Sequence, residues 1–192
     1  MSESAKLTYG QWMILELYRE FYRKDYVTVP KRGRRKEQIH QRVQAIILIL
    51  RHYGIQVGEF GFIPGRYGAC STNLDKLLDG IDEEKYEVQD YYEKYGKEPL
   101  SLFIPEEQAR IHQCTADTKL ANHAEDADTW LQIIANMLFV LTVMKTRKDF
   151  KSVKERTIIP NRIILSEEIF KEAYDVATEI NTEHPLQERA TT

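Results

Sequence analysis

The stretch DADTWLQIIANMLFVLTVMK, residues 126–145, decides the fold of this chain. Trp130, Ile134, Met137, Leu138, Leu141 and Met144 recur at three- and four-residue intervals, which lines them up along one side of a helix. Apolar residues also occupy its other faces, so the helix belongs at the centre of a bundle. The most apolar runs of the chain, Ala45–Leu50 and Met137–Val143, are far shorter than the ~20 residues of a membrane span. No membrane partner is expected.

Further helices flank this centre. Over Arg34–Tyr53, Ile39, Val43, Ile46, Ile47 and Leu50 form an apolar stripe, and Gly54 sits where a C-terminal cap belongs. Over Gly10–Arg23, Trp12, Leu15, Leu17, Tyr18, Phe21 and Tyr22 give a broad aromatic face. Glu106–Leu120 reads as a weakly amphipathic helix and Asp149–Arg156 as a short basic one. Ser166 reads as the N-cap of a last helix, with Glu167 and Glu168 in its first turn and Ile169, Ala173, Val176, Ala177 and Ile180 as its buried stripe.

The connections read differently. Pro30 and Gly33 make Asp25–Gly33 a loop, and Val57–Pro64 is Gly-rich and extended. Gly65–Gly68 is a turn, after which Ser71 or Thr72 caps a short helix with Leu74, Leu77 and Leu78 that ends near Gly80. Tyr86–Tyr92 and Leu100–Ile104 suggest two strands of a hairpin or wing, with Gly96 and Pro99 between them. Thr157–Leu165 holds Pro160 and an extended run. The expected class is mainly α (α+β): one helical domain over residues 1–183 with a small β hairpin or wing, and a flexible tail over 184–192.

Composition bounds the function. The chain has 192 residues, enough to bury a core without staples. Its two cysteines, Cys70 and Cys114, cannot build a disulfide framework, and the ends carry no secretory signal, so a cytoplasmic location is expected. The net charge of −3 conceals a strong separation along the chain. Residues 19–52 hold ten Lys and Arg against three Asp and Glu, whereas residues 75–107 hold four against eleven. Residues 145–156 hold six against two. Such blocks either dock partners or pair with one another inside the fold.

The basic cluster Lys31, Arg32, Arg34, Arg35 and Lys36 lies at a loop-to-helix junction, where backbone N–H groups also favour an anion. Arg42 and Arg51 continue along that helix, and Arg66 lies in the later turn. Lys31, Arg32, Arg34, Arg35, Lys36, Arg42 and Arg66 are therefore the candidates for binding a partner or a phosphate. Against nucleic acid stands a sequence pI near 6.0.

Enzyme signatures are weak. Gly58, Gly61, Gly65 and Gly68 precede no GK[ST] and match no dinucleotide fingerprint. His112, Cys114 and His123 lie close in sequence without a CxxC or HExxH pattern, so no metal and no cofactor is expected. Cys70 with His40 or His52 is the one nucleophile arrangement to weigh, and it lacks a sequence signature.

The order of the pieces carries a resemblance. The helix Gln41-Arg42-Val43-Gln44-Ala45-Ile46-Ile47-Leu48 leads through Gly54 to an aromatic segment ending in Arg66-Tyr67-Gly68-Ala69-Cys70-Ser71, then Leu74 and Leu77. Later come Trp130–Phe139 and the closing Ile164-Leu165-Ser166-Glu167-Glu168-Ile169 with Ala173. This resembles the YwgA-like and Panacea (SocA-like) antitoxin domains over residues 37–180. Where that pattern has Pro-Tyr, a helix Lys and a Glu, this chain has Ala69-Cys70, Gln44 and Gln132. The resemblance makes Tyr67, Gly68 and Ser71 the motif turn. It implies a prokaryotic or phage protein-binding regulator of a toxin–antitoxin or phage-defence locus, not an enzyme, with a toxin or conflict-system component as partner. The alternative expectation is a winged-helix-like module that binds nucleic acid through Lys31–Lys36. The aromatic first helix would also serve a homodimer.

Overall fold

The computed structural model describes residues 7–22, 35–66, 68–81, 100–144, 148–157 and 165–186. Among them the chain forms α1 (Tyr9–Phe21), α2 (Arg35–His52), β1 (Ile63–Gly65), β2 (Gly68–Cys70) and α3 (Thr72–Leu78). There follow α4 (Pro105–Asp117), a 3-10 segment (Leu120–Asp126), α5 (Ala127–Thr142), α6 (Phe150–Arg156) and α7 (Glu167–Glu183). The protein is thus mainly α, with a small antiparallel hairpin among the described residues. No helix among the described residues is long and apolar enough to cross a membrane.

Local chemistry sets the helix ends. Thr8 and Gln11 close a capping box on α1, each side chain serving the other's backbone N–H. Gly54, at φ +70°, ends α2 in a Schellman motif: Ile55 N donates to Leu50 O, and Gly54 N to Arg51 O. Pro105 opens α4, where its missing N–H loses nothing. Asp149 caps α6, and Ser166 caps α7 by accepting from Ile169 N.

Helix α5 is the centre expected from its composition, with every residue from Trp130 to Leu141 buried. It packs chiefly against α2 and α7 and also meets α6 and β2. Trp130 Nε1 donates to Thr118 O at 2.6 Å, and the His123 ring stacks on the Trp130 indole at 3.6 Å, tying the 3-10 segment to α5.

Two expectations are corrected. Leu100–Ile104 is a turn, not a strand: Leu100 has φ +57° and its carbonyl accepts from Phe103 N. Gln108 Nε2 holds the Leu100 and Phe103 carbonyls, while buried Glu16 takes Ser101 Oγ and Leu102 N, so several of the groups a strand would pair are bound to side chains instead. The suggested partner strand, Tyr86–Tyr92, lies outside the described residues. Val57–Pro64 is non-helical as expected, and its end, Ile63 and Pro64, enters a strand paired with the motif segment itself. Finally, His184 is docked and does not begin a loose tail. Its carbonyl lies 2.9 Å from His52 Nδ1 and its ring 4.3 Å from that of Tyr53, whose hydroxyl donates to Asp117.

Candidate functional site

A cleft of about 400 Å³ opens where α2, the hairpin, α3 and α5 converge. Lys36, His40 and Gln44 recur at four-residue spacing and so line it from one face of α2. Gln132 and Asn136, also four apart, line it from α5, and Arg66, Cys70 and Asp75 complete the polar wall.

Two carboxamides hold the hairpin in place. In the strand pairing Pro64 stands opposite Ala69, and Ala69 N donates to Asn136 Oδ1 at 2.9 Å. Two residues on, Ser71 N donates to Gln44 Oε1 and Gln44 Nε2 donates back to Ser71 O, both at 3.0 Å. Gln44 thereby stands in for the peptide group of a neighbouring strand, and with Asn136 it covers hydrogen-bonding groups that an exposed edge would leave open. The same Nε2 also reaches Asp75 Oδ1 at 2.9 Å, so α2, β2 and α3 share one polar junction.

Close approach makes glycine necessary at Gly68. Its φ is +125°, and a Cβ there would stand 2.2 Å from Asn136 Oδ1.

The cleft's charges pair within the fold. Lys36 Nζ lies 2.7 Å from Asp79 Oδ1 and holds that carboxyl below its ordinary value by hydrogen bond and charge. His40 Nδ1 lies 3.3 Å from Asp75 Oδ1. Both contacts join the basic block of residues 19–52 to the acidic block of residues 75–107. Burial pushes the Cys70 thiol up, and the Asp75 charge adds to the effect, so the neutral thiol is favoured over the nucleophilic thiolate. Gln132 stands apart from this pairing: it is 8% exposed, and its Oε1 is buried without a hydrogen-bond partner.

The expected site residues divide sharply. Lys31, Arg32, Arg34 and Tyr67 lie outside the described residues, and Arg35 begins α2. Lys36, Arg66 and Gly68 come together at the cleft. Arg42 does not, and its assignment as a surface binder is corrected: it is 1% exposed. Its Nη1 donates to Tyr18 Oη at 2.8 Å, its Nη2 pairs with Asp128, and its guanidinium lies 4.8 Å from the Tyr22 ring centroid. Burial opposes that charge, but Tyr18, Asp128 and Tyr22 more than offset it. Ser71 occupies the N-cap position of α3, yet its hydroxyl makes no capping bond, and its main chain is held by Gln44 instead. Among the weak metal candidates, His112 faces Glu20, Cys114 is buried and His123 faces Glu172. No group of three or more ligating side chains occurs among the described residues.

Gln44, Asp75, Gln132 and Asn136 escaped notice as site residues. A usable signal existed: Gln44, Gln132 and Asn136 are isolated amides inside apolar helical runs, where an uncharged polar residue needs a partner. The two helix departures from the resembling pattern, Gln44 and Gln132, both line the cleft. Comparison of the chain with family models, with curated proteins and with solved structures finds no match.

Proposed function

We propose that this chain is a binding protein, an antitoxin-like regulator that docks a protein partner on the face around the cleft mouth, and not an enzyme. The observation that carries the reading is the makeup of that mouth. Lys36, Glu37, Arg66 and Asp79 are exposed there with both signs of charge, a rim suited to selecting a partner by electrostatic complementarity. The reactive side chains inside support binding over chemistry, because the Cys70 thiol is held neutral and His40 faces Asp75. The resemblance to antitoxin domains converges on the same elements. A nucleic-acid reading draws less support, since Arg42 is buried.

Co-expression with the product of the neighbouring gene tests the proposal. A complex that survives size exclusion at low salt, and weakens about tenfold or more in the Lys36→Glu/Arg66→Glu double variant, is the expected result. No complex at low salt, or a complex indifferent to the double reversal, overturns it.

A further inference from the structure

The cleft is lined by the first half of α2; the last residue of that helix, His52, belongs to a second polar junction. His52 is 5% exposed, and its Nδ1 lies 2.9 Å from the carbonyl oxygen of His184 at the end of α7. A carbonyl can only accept, so Nδ1 carries the ring proton and the lone pair sits on Nε2. That Nε2 is enclosed and has no hydrogen-bond partner. A second ring proton would therefore sit on a buried nitrogen with nothing to accept it, the most unfavourable place for a charged donor.

The groups around the ring work in the same direction. Burial opposes a positive His52 most, and the charges of Arg51 on α2 and His184 on α7 add to it; the bond to the His184 carbonyl acts the other way. The carboxylates at this junction serve other partners. Asp117 of α4 accepts from the Tyr53 hydroxyl at 2.7 Å and lies 3.7 Å from His184 Nε2, and Glu183 of α7 acts on Tyr53. A protonated His52 is relieved by reaching water, and that movement breaks its bond to the His184 carbonyl. Of the described contacts between His184 and other helices, there then remain the ring contact with Tyr53 and the approach to Asp117, which is longer than a hydrogen bond.

We propose that His52 is the catch of an acid-sensitive latch, whose protonation frees the C-terminal turn of α7 from the end of α2. The latch is independent of the docking proposal, which rests on the charged rim of the cleft. Docked, His52 titrates below the ordinary 6.5, so the released form gains as pH falls from 6.5 through the folded value. Each opening takes up one proton, and within that window the opening equilibrium rises by up to about tenfold per pH unit.

Amide hydrogen exchange of the full chain, followed by NMR from about pH 7.5 to about pH 4.5 and corrected for intrinsic rates, tests it. Protection of residues 181–184 should fall about tenfold or more relative to the amides of α5. His52→Asn, which keeps a donor for the carbonyl and cannot titrate, should hold that protection level. Asp117→Asn, which keeps an acceptor for Tyr53, should leave the fall in place and so separates His52 from loss of the Asp117 charge. Should His52→Asn fail to fold, the wild-type protein still decides. Its His52 nitrogen shifts must place the proton on Nδ1 at about pH 7.5, and protection must fall in step with titration of that ring. Protection that stays level on acidification, or falls equally in α5, overturns the proposal. So does a fall that persists in His52→Asn or vanishes in Asp117→Asn, or a His52 ring that titrates at or above 6.5.

Discussion

Replacing Gly68 with alanine tests the geometry of the cleft at its tightest point. Two terms add. The backbone at φ +125° is one that L side chains rarely adopt, and holding alanine there costs about 1–3 kcal/mol. The new Cβ would also stand 2.2 Å from Asn136 Oδ1, so the Asn136 carboxamide must leave. Its departure strips Ala69 N of its acceptor, worth about 1 kcal/mol. The sum is about 2–4 kcal/mol, or roughly 5–15 °C in Tm for a chain of this size. Urea unfolding followed by circular dichroism measures it. A double-mutant cycle then separates the terms: in an Asn136→Ala background the clash is gone and only the backbone term remains. Gly68→Ala should therefore cost about 1 kcal/mol less there than in the parent. A Gly68→Ala variant within about 0.5 kcal/mol of the parent, or one equally destabilised in both backgrounds, would refute the reasoning.

Other perturbations follow from the same structure. Arg42→Met leaves Asp128 and Tyr18 without their buried cation and should destabilise by about 3–5 kcal/mol in urea unfolding; Arg42→Met with Asp128→Leu should recover part of that loss. His52 is held neutral by burial, so its folded pKa lies below the ordinary 6.5. Its contribution to stability is full above pH 6.5 and is lost as pH falls from there through the folded pKa. His52→Asn, which keeps a donor toward the His184 carbonyl, should flatten the fall in urea midpoint on acidification, and an unchanged slope would contradict this. Both thiols are pushed up by burial, so alkylation at pH 7 should label Cys70 more slowly than a free thiol and Cys114 only on unfolding. Mass spectrometry of timed samples reads the order, and fast labelling of Cys114 in the native protein would show its burial to be wrong.

The helices were legible in the sequence because their signals are local. Apolar spacing of three and four marks α2, α5 and α7, and Gly54 and Ser166 act on bonds within a few residues of themselves. The hairpin was harder to place. Leu100–Ile104 has strand-like residues, yet Glu16, 85 positions away from Ser101, binds the Ser101 hydroxyl and takes the Leu102 N–H that a sheet would use. Ser71 has the right residue type and position for a side-chain cap, but Gln44 binds its backbone first.

The charge blocks show the same division. By sequence alone, residues 19–52 are basic and residues 75–107 acidic, and the chain is mainly helical around the apolar run at 126–145. Whether a given charge faces solvent, a neighbour or the core depends on which helices pack together. Lys36 meets Asp79 at the surface, whereas Arg42, six residues further along the same helix, is enclosed with Asp128 of α5. Helical periodicity is a property of neighbours along the chain and can be read there. Burial, ion pairing and the unpaired amide of Gln132 are properties of neighbours in space, and only the tertiary structure brings those neighbours together.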